Sequence, residues 1–167
     1  GFKMFKKILV AMDLSAFGTE VFATALNLAT LHQAHLLLLH VLSPEEDNSP
    51  LPIPSNLRDI YPAQGNDFTL SQWRQEWQDF EQEGINTLQA EQKSAEKAGV
   101  SADYEQIYGN PAKTICRVAK NNDIDLIVIG RRGRSGISEL MMGSVSNYVL
   151  HHAPCSVLIV QPRKVGG

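Results

Sequence analysis

The stretch Asp125-Leu126-Ile127-Val128-Ile129-Gly130-Arg131-Arg132-Gly133 decides the fold, and Gly143-Ser144-Val145-Ser146 follows it ten residues further on. Its apolar half predicts a strand that is buried on both faces, as the strands of parallel sheets are. Its glycines and arginines predict a basic turn after that strand, and the second motif predicts the start of a helix. Backbone N–H groups at a helix start, glycines that permit close approach and arginine side chains all favour phosphate. We therefore interpret the two motifs as one phosphate-binding device at the carboxyl edge of a sheet.

Length and composition are typical of one globular domain. The chain has 167 residues, of which 43% are hydrophobic and 20% charged, and its net charge is −3. This charge gives no electrostatic argument for nucleic acid or for an anionic membrane, and no apolar run reaches the roughly 20 residues that cross a bilayer. Cys116 and Cys155 form no metal-binding or redox motif, which favours reduced thiols in the cytoplasm. Met4 indicates that residues 1–3 are an added remnant, so we expect one domain over residues 4–163.

Apolar runs alternate with amphipathic segments along the whole chain, which predicts an α/β fold with an open, mainly parallel sheet and helices on both faces. The predicted strands are residues 5–13, 34–42, 102–108, 126–129 and 155–160, and the last of them is expected to be buried. The predicted helices are residues 16–32, 71–98, 111–121 and 138–151. Ser15 and Ser71 are suitable N-caps for the first two helices. Gly143-Ser144 interrupts the last helix.

The least regular region extends from Ser43 to Leu70 and is rich in proline. It predicts a long loop after the carboxyl end of the second strand, where binding loops commonly lie. Two interpretations remain open, a surface insertion and a lid or partner-contact loop.

Other functional motifs are absent from the sequence. It contains neither the P-loop GxxxxGK[ST] nor the dinucleotide fingerprint GxGxxG, no HExxH zinc motif and no GxSxG nucleophile elbow. The basic run from Arg131 to Arg134 is short and has no interleaved aromatic residues, so we expect no nucleic-acid binding.

The spacing from Gly130 to Ser144, which is GxxG, nine residues and Gly-Ser, resembles the nucleotide-binding signature of the universal stress protein family, in its ATP-binding branch. The resemblance covers nearly the whole chain: residues 8–15 are similar to the family's first strand, His40-Val41 to the end of its second, and residues 125–130 and 154–160 to its last two. It implies a Rossmann-like, five-stranded parallel sheet in the order 3-2-1-4-5.

The resemblance also implies a ligand and the residues that hold it. The ligand is ATP, or AMP or ADP, accompanied by Mg²⁺. Asp13 would lie at the ribose, the backbone of Val41 at the adenine, and the glycine motifs at the ribose and phosphates. The residues implied to line the site are Ala11, Met12, Asp13, Val41, Ile129, Gly130, Arg132, Gly133, Gly143, Ser144, Val145 and Ser146. For Asp13 a second interpretation stays open, a carboxylate that caps the start of a helix.

The sequence thus predicts an ATP-binding universal stress protein, a cytoplasmic nucleotide-dependent stress-response module. The resemblance implies a homodimer through the last strand, Val157 to Val160, which suits an apolar edge strand that needs cover. The alternatives are a slow ATP hydrolase or phosphoryl or nucleotidyl transferase, and an interaction module without a ligand. No catalytic residue and no protein metal site is predicted, because Asp13 is the only candidate base and no carboxylate pair for Mg²⁺ is evident.

Overall fold

The computed structural model describes residues 4–44, 46, 49–50, 66–131 and 143–162, with residues 66–69 described by their backbone alone. Strands and helices alternate along this part of the chain. The elements are β1 Lys7–Met12, α1 Gly18–His32, β2 His35–Leu42, α2 Asn66–Lys97, β3 Ala102–Tyr108, α3 Pro111–Asn121, β4 Leu126–Gly130, α4 Ser144–His152 and β5 Ser156–Val160.

The five strands form one parallel sheet in the order β3-β2-β1-β4-β5, which confirms the predicted fold. β1 lies between β2 and β4, with Met12 opposite His40 and Ala11 opposite Ile129. The chain first builds the sheet outward from β1 to β3 and then returns to the other side of β1. The switch point, where ligands bind in such sheets, therefore lies between β1 and β4.

The core consists of two apolar layers, one on each face of the sheet. α1 and α2 contribute Val21, Phe22, Leu88 and Ala95 to the first layer. α3 and α4 contribute residues such as Ile115 and Val149 to the second. This division follows from the right-handed crossovers, because strands added in opposite directions from β1 place their helices on opposite faces.

The last strand, β5, was predicted to be buried, and this prediction is wrong. Val157 to Val160 are all half-buried, and Ser156 is exposed. The reason is position, because β5 is the final strand in the sheet order and pairs with β4 on one side only. Its residues still pack on both core layers, Val157 and Ile159 on one and Leu158 and Val160 on the other.

The start of α1 also differs from the prediction, because Ser15 is not its N-cap. The helix begins at Gly18, and its N-cap Phe17 makes no side-chain capping hydrogen bond. Ser15 instead donates its backbone N–H and its hydroxyl to Oδ1 of Asp13, at 3.0 and 2.6 Å. A carboxylate two residues before the serine competes for its hydroxyl and forms a turn there.

The prediction that α2 starts at Ser71 is wrong, because the helix already includes Asn66. Ser71 lies within the helix, and the irregular region is shorter than expected by the five residues 66–70. The predicted end is confirmed, since Gly99 follows the helix with a left-handed φ of +82°. For the last helix, the described part starts at the predicted Gly143-Ser144 turn and ends at His152, and residues 138–142 lie outside the described chain.

Candidate functional site

The carboxyl ends of β1 and β4 lie side by side at the switch point. Asp13 follows β1 directly, and Gly130 is the last residue of β4. The start of α1 lies on one face of the sheet at this edge, and the helices α3 and α4 lie on the other. The structure thus brings the first half of the predicted site, Ala11 to Asp13, next to Ile129 and Gly130.

Asp13 is half-buried, and one of its oxygens organises the turn that leads into α1. Oδ1 accepts both hydrogen bonds from Ser15. The second interpretation of Asp13, a carboxylate that caps the start of a helix, is therefore supported with one change. The carboxylate stabilises the turn before α1 and not the first turn of the helix itself. A carboxylate has about four lone-pair sites, so a group of this kind can accept more than two hydrogen bonds.

Two glycines allow α1 to lie directly over the strand ends. A Cβ atom on Gly18 would stand 2.8 Å from the carbonyl oxygen of Asp13. A Cβ atom on Gly130 would stand 2.8 Å from Cε1 of Phe17 and 2.8 Å from Cγ2 of Val21. Gly130 is therefore required by the packing of α1, whether or not a ligand approaches it.

Val41, predicted to lie at the adenine, and three other predicted site residues are strand residues whose side chains belong to the core. Met12, Val41 and Ile129 are buried, and Ala11 is half-buried. Such residues can present backbone N–H and C=O groups at the edge of the sheet, while their side chains hold the strands in place. That the backbone of Val41 contacts a base stays a prediction.

The predicted phosphate side is the first turn of α4. Gly143 is its N-cap and accepts the N–H of Asn147 at 3.0 Å. Ser144 is exposed, whereas Ser146 is buried and its hydroxyl donates to the carbonyl oxygen of Gly143 at 3.1 Å. Ser146 thus uses its hydroxyl within the helix start, and what it can offer a ligand from that turn is its backbone N–H.

A cavity of about 250 Å³ joins the N-termini of α3 and α4. Its lining consists of Asn110, Ala112, Lys113, Ser144, Val145 and Tyr148. Asn110 caps α3 by accepting the N–H of Lys113 at 3.0 Å. Two helix starts and one lysine therefore supply positive potential to this space. The sequence predicted both helix starts but not that Lys113 shares a cavity with Ser144, because that neighbourhood depends on tertiary packing.

The remaining predicted residues, Arg132 and Gly133, lie outside the described residues. Their neighbour Arg131 continues the sheet edge, where its backbone N–H donates to the carbonyl oxygen of Val160 at 2.8 Å. Within the described part of the chain, no cluster of three or more His, Cys, Asp or Glu side chains could hold a metal ion. Nor does any helix in that part have the length and apolar character needed to cross a membrane.

Both cysteines are half-buried, and burial raises the pKa of each thiol. For Cys155 the neighbouring charges of Asp125 and Cys116 raise the pKa further. A thiol with a raised pKa carries little thiolate near neutral pH and is a poor nucleophile. That the two thiols are reduced in the cytoplasm stays a prediction.

Sequence reasoning missed a buried polar pair beside the site. His40, which is 1% exposed, places Nε2 2.9 Å from Oε2 of Glu46, whose own side chain is 5% exposed. Oε1 of Glu46 accepts the N–H of Leu14 at 2.9 Å. The ring of Phe80 meets the His40 ring edge-on at 5.9 Å. No signal in the sequence marked Glu46, which lies in the Pro-rich region and has no periodic pattern around it.

The helix α2 packs tightly on this pair at Gly84. A Cβ atom there would stand 2.6 Å from Nδ1 of His40 and would also meet Nε2 of Gln106. Gly84 is therefore the position that lets the helix backbone reach the imidazole. Glycine has a low helix propensity, and this contact explains why a glycine occurs inside the helix.

The sequence as a whole matches the model of the universal stress protein family over residues 4–161, and the chain belongs to that family. A universal stress protein of Synechocystis sp. is 50% identical to it over 102 residues, which make up 61% of this chain and 94% of that protein. The universal stress protein YxiE of Bacillus subtilis is 37% identical over 159 residues, 95% of this chain and 100% of that protein.

Solved structures share the fold. Universal stress protein UspA from Lactobacillus plantarum superposes with a TM-score of 0.68 at 28% identity, covering 93% of this chain and 97% of that chain. At lower identity the likeness concerns the fold alone. A universal stress protein in complex with cAMP has a TM-score of 0.62 at 20% identity, covering 95% and 98% of the two chains. A family protein from Arabidopsis thaliana with AMP bound has 0.59 at 19%, covering 95% and 92%.

Proposed function

We propose that this protein binds an adenine nucleotide, ATP first and AMP or ADP as alternatives, at the carboxyl edge between β1 and β4. The observation that carries the proposal is the half-buried Asp13 carboxylate at the same edge of the sheet as the start of α4. A nucleotide has sugar hydroxyls in its middle and phosphates at one end, which match an acceptor and a helix N-terminus. The protein would act as a cytoplasmic, nucleotide-dependent stress-response module.

The helix starts support the phosphate end of the proposed site. Gly143 is the N-cap of α4, and Ser144 and Val145 line a cavity that Lys113 also lines. Phosphate oxygens accept hydrogen bonds from backbone N–H groups and are attracted by an ammonium group. The two relatives solved with AMP and with cAMP support the choice of an adenine nucleotide as the ligand class.

Titration calorimetry with ATP and Mg²⁺ tests the proposal, and Asp13→Asn is the informative variant. The amide keeps an oxygen that can accept from Ser15, so the turn before α1 is retained while the charge is lost. We expect binding about tenfold weaker, because a hydrogen bond to a charged group contributes about 1–1.5 kcal/mol more than one to a neutral group, and 1.4 kcal/mol is a factor of ten. Asp103→Asn is the matched control at the opposite edge of the sheet and should bind like the wild type.

Gly143→Val tests the phosphate end separately, since a branched side chain at the N-cap would obstruct the first N–H groups of α4. We expect ATP binding to be lost while AMP, with one phosphate, is affected less. A folded wild-type protein that binds none of the three nucleotides contradicts the proposal. Mass spectrometry of nucleotides that co-purify with the protein would identify the one held in the cell.

Magnesium would arrive with the phosphates rather than on a protein site. The described residues contain no carboxylate cluster for it, so the phosphate oxygens would supply its charged ligands. We expect hydrolysis to be slow or absent, because Asp13 is the one candidate base and Oδ1 already accepts two hydrogen bonds. A turnover rate typical of ATPases that is lost in Asp13→Ala would favour the hydrolase alternative instead.

We further propose a homodimer through β5. Val157 to Val160 form a half-buried apolar strand at the end of the sheet order, and a strand with one unpaired edge gains hydrogen bonds and burial from a second copy. Light scattering should give twice the monomer mass at micromolar concentration. Leu158→Lys should shift the protein toward monomer, whereas Leu150→Lys, at an exposed leucine on α4, should not. A wild-type monomer would contradict this part of the proposal.

A further inference from the structure

We propose that Glu46 and His40 are positioning residues that hold the sugar side and the base side of the nucleotide site at a fixed separation. The inference rests on the proposed function, because it assigns these residues a role in the affinity of that site. Neither residue needs to touch the nucleotide. Glu46 acts through the N–H of Leu14, the residue that follows Asp13. His40 acts through its own backbone, which directly precedes Val41.

The tautomer of His40 follows from the hydrogen bonds of its two ring nitrogens. Nε2 of Gln106 donates to the carbonyl oxygen of Glu81 at 2.9 Å, and because a carbonyl can only accept, this contact fixes which end of the amide is the NH₂ group. The same Nε2 lies 3.1 Å from Nδ1 of His40, so Nδ1 is the acceptor. The ring proton is therefore on Nε2, which donates to the carboxylate of Glu46.

The carboxylate of Glu46 joins two strands that are adjacent in the sheet. Oε1 accepts the N–H of Leu14 at 2.9 Å, one residue after Asp13, and lies 3.2 Å from Nε2 of His40. Oε2 accepts from the same Nε2 at 2.9 Å. One buried side chain thus links the end of β1, the carboxyl half of β2 and the segment that follows it.

The other side of the imidazole is closed by packing. Gly84 of α2 leaves no room for a side chain against Nδ1, and the Phe80 ring lies edge-on to the imidazole. A ring that is held at both nitrogens and on one side has a single orientation. Glu46 is consequently held in place too, and the backbone after Asp13 is fixed before any ligand binds. Such preorganisation raises affinity because binding no longer has to order the segment.

The test combines nucleotide affinity with the ¹H–¹⁵N spectrum of the protein. In the wild type the Leu14 amide proton should lie downfield, as expected for a bond to a carboxylate, and the His40 nitrogens should show the Nε2–H tautomer. Glu46→Ala should move the Leu14 signal upfield and weaken ATP binding about tenfold, the lower part of the range for residues that orient ligand-binding groups.

Three further variants separate positioning from simple loss of fold. Glu46→Gln keeps the shape of the side chain but must turn its NH₂ group toward either the N–H of Leu14 or the Nε2–H of His40, so it should weaken ATP binding about as much as Glu46→Ala does. Glu46→Asp keeps the charge but is one methylene shorter and cannot reach both donors, so it should bind weakly even if Glu46→Ala does not fold. Glu81→Ala is the matched control, because its carboxylate accepts a hydrogen bond from the hydroxyl of the exposed Tyr108, while its backbone carbonyl, which accepts from Gln106, is kept.

The outcomes are distinct. If the wild type binds ATP and Glu46→Ala or Glu46→Asp weakens it with a shifted Leu14 signal, the inference is supported. If these variants bind as the wild type does, positioning by Glu46 is wrong and the proposed function stands. If the folded wild type binds no nucleotide, the proposed function fails and this inference fails with it.

Discussion

Strand β2 contains the histidines of two histidine–carboxylate pairs. The N–O distances of the two pairs are almost equal, but one pair is exposed to solvent and the other is buried. At the start of β2, Nε2 of His35 lies 3.0 Å from Oδ2 of Asp103, and the two side chains are 35% and 73% exposed. Further along the strand, Nε2 of His40 lies 2.9 Å from Oε2 of Glu46, with exposures of 1% and 5%. The distances do not distinguish the pairs, whereas burial does, because water competes for the first pair and is excluded from the second.

The two pairs also differ in what they connect. His35 bonds Ser101 and Asp103, both exposed residues of the neighbouring segment at the amino edge of the sheet. The buried pair reaches the backbone of Leu14 and, through Gln106, the helix α2. Ligands bind at the carboxyl edge in folds of this kind. The buried network therefore lies at the edge where exact placement of the backbone matters.

The largest effect is expected from Glu46→Ala, compared with the same change at Asp103. Removal of Glu46 leaves the half-buried N–H of Leu14 and the buried Nε2–H of His40 without their acceptor. We expect a loss of about 3 kcal/mol in the free energy of unfolding, the scale for a broken buried pair. Urea denaturation followed by circular dichroism measures it. A loss below about 1 kcal/mol would mean that water reaches the pair.

An intermediate effect is expected from Gly84→Ala, which disturbs the buried pair without changing its charges. Glycine to alanine inside a helix usually stabilises by about 0.5–1 kcal/mol. Here the added methyl group would overlap the His40 ring, and we expect a net loss of about 2 kcal/mol, as for an overpacked core.

A double-mutant cycle shows whether the Gly84 effect belongs to the pair. In a Glu46→Ala background the imidazole is free to move away, so the cost of Gly84→Ala should fall. Additive effects of the two substitutions would assign the cost to other contacts of α2. Gly99→Ala is a useful contrast, because a Cβ there meets nothing within 4 Å and any loss reflects its φ of +82° alone.

The smallest effect is expected from Asp103→Ala. An exposed pair contributes at most about 1 kcal/mol and is screened by salt, so the free energy of unfolding should fall by less than this. The same urea titrations at low and high NaCl concentration measure the difference, which should shrink at high salt. A loss as large as that of Glu46→Ala would remove the distinction between the two pairs.

The strands β1, β2 and β4 were predictable because burial on both faces produces continuous apolar runs. β2 was predicted over residues 34–42 and occupies His35–Leu42. The resemblance gave the sheet order, and the order then placed Asp13 beside Gly130. Local serines misled twice, at Ser15 and at Ser71. A serine is a suitable cap in isolation, but its own neighbours decide whether it serves as one, as Asp13 does for Ser15.

The buried network was not predictable, since each of its contacts joins residues from different elements. Glu46 is six residues from His40 in the chain, and Gln106 is sixty-six residues away. A glutamate among prolines and polar residues predicts a solvated loop, and no local pattern indicates that it is buried. The same holds for Lys113, whose cavity is formed with a helix that begins about thirty residues later.

Gly84 also limits how α2 can be misaligned during folding. It is the one glycine in this helix of 32 residues, and a Cβ atom at this position would collide with the imidazole of His40. Sliding the helix by one turn in either direction would bring Phe80, Glu81, Thr87 or Leu88 to that point, and each has a Cβ for which no space exists. Other alignments of this long amphipathic helix are thus excluded, because only a residue without a Cβ atom fits against the imidazole. The sequence in this way disfavours wrong structures as well as favouring the right one.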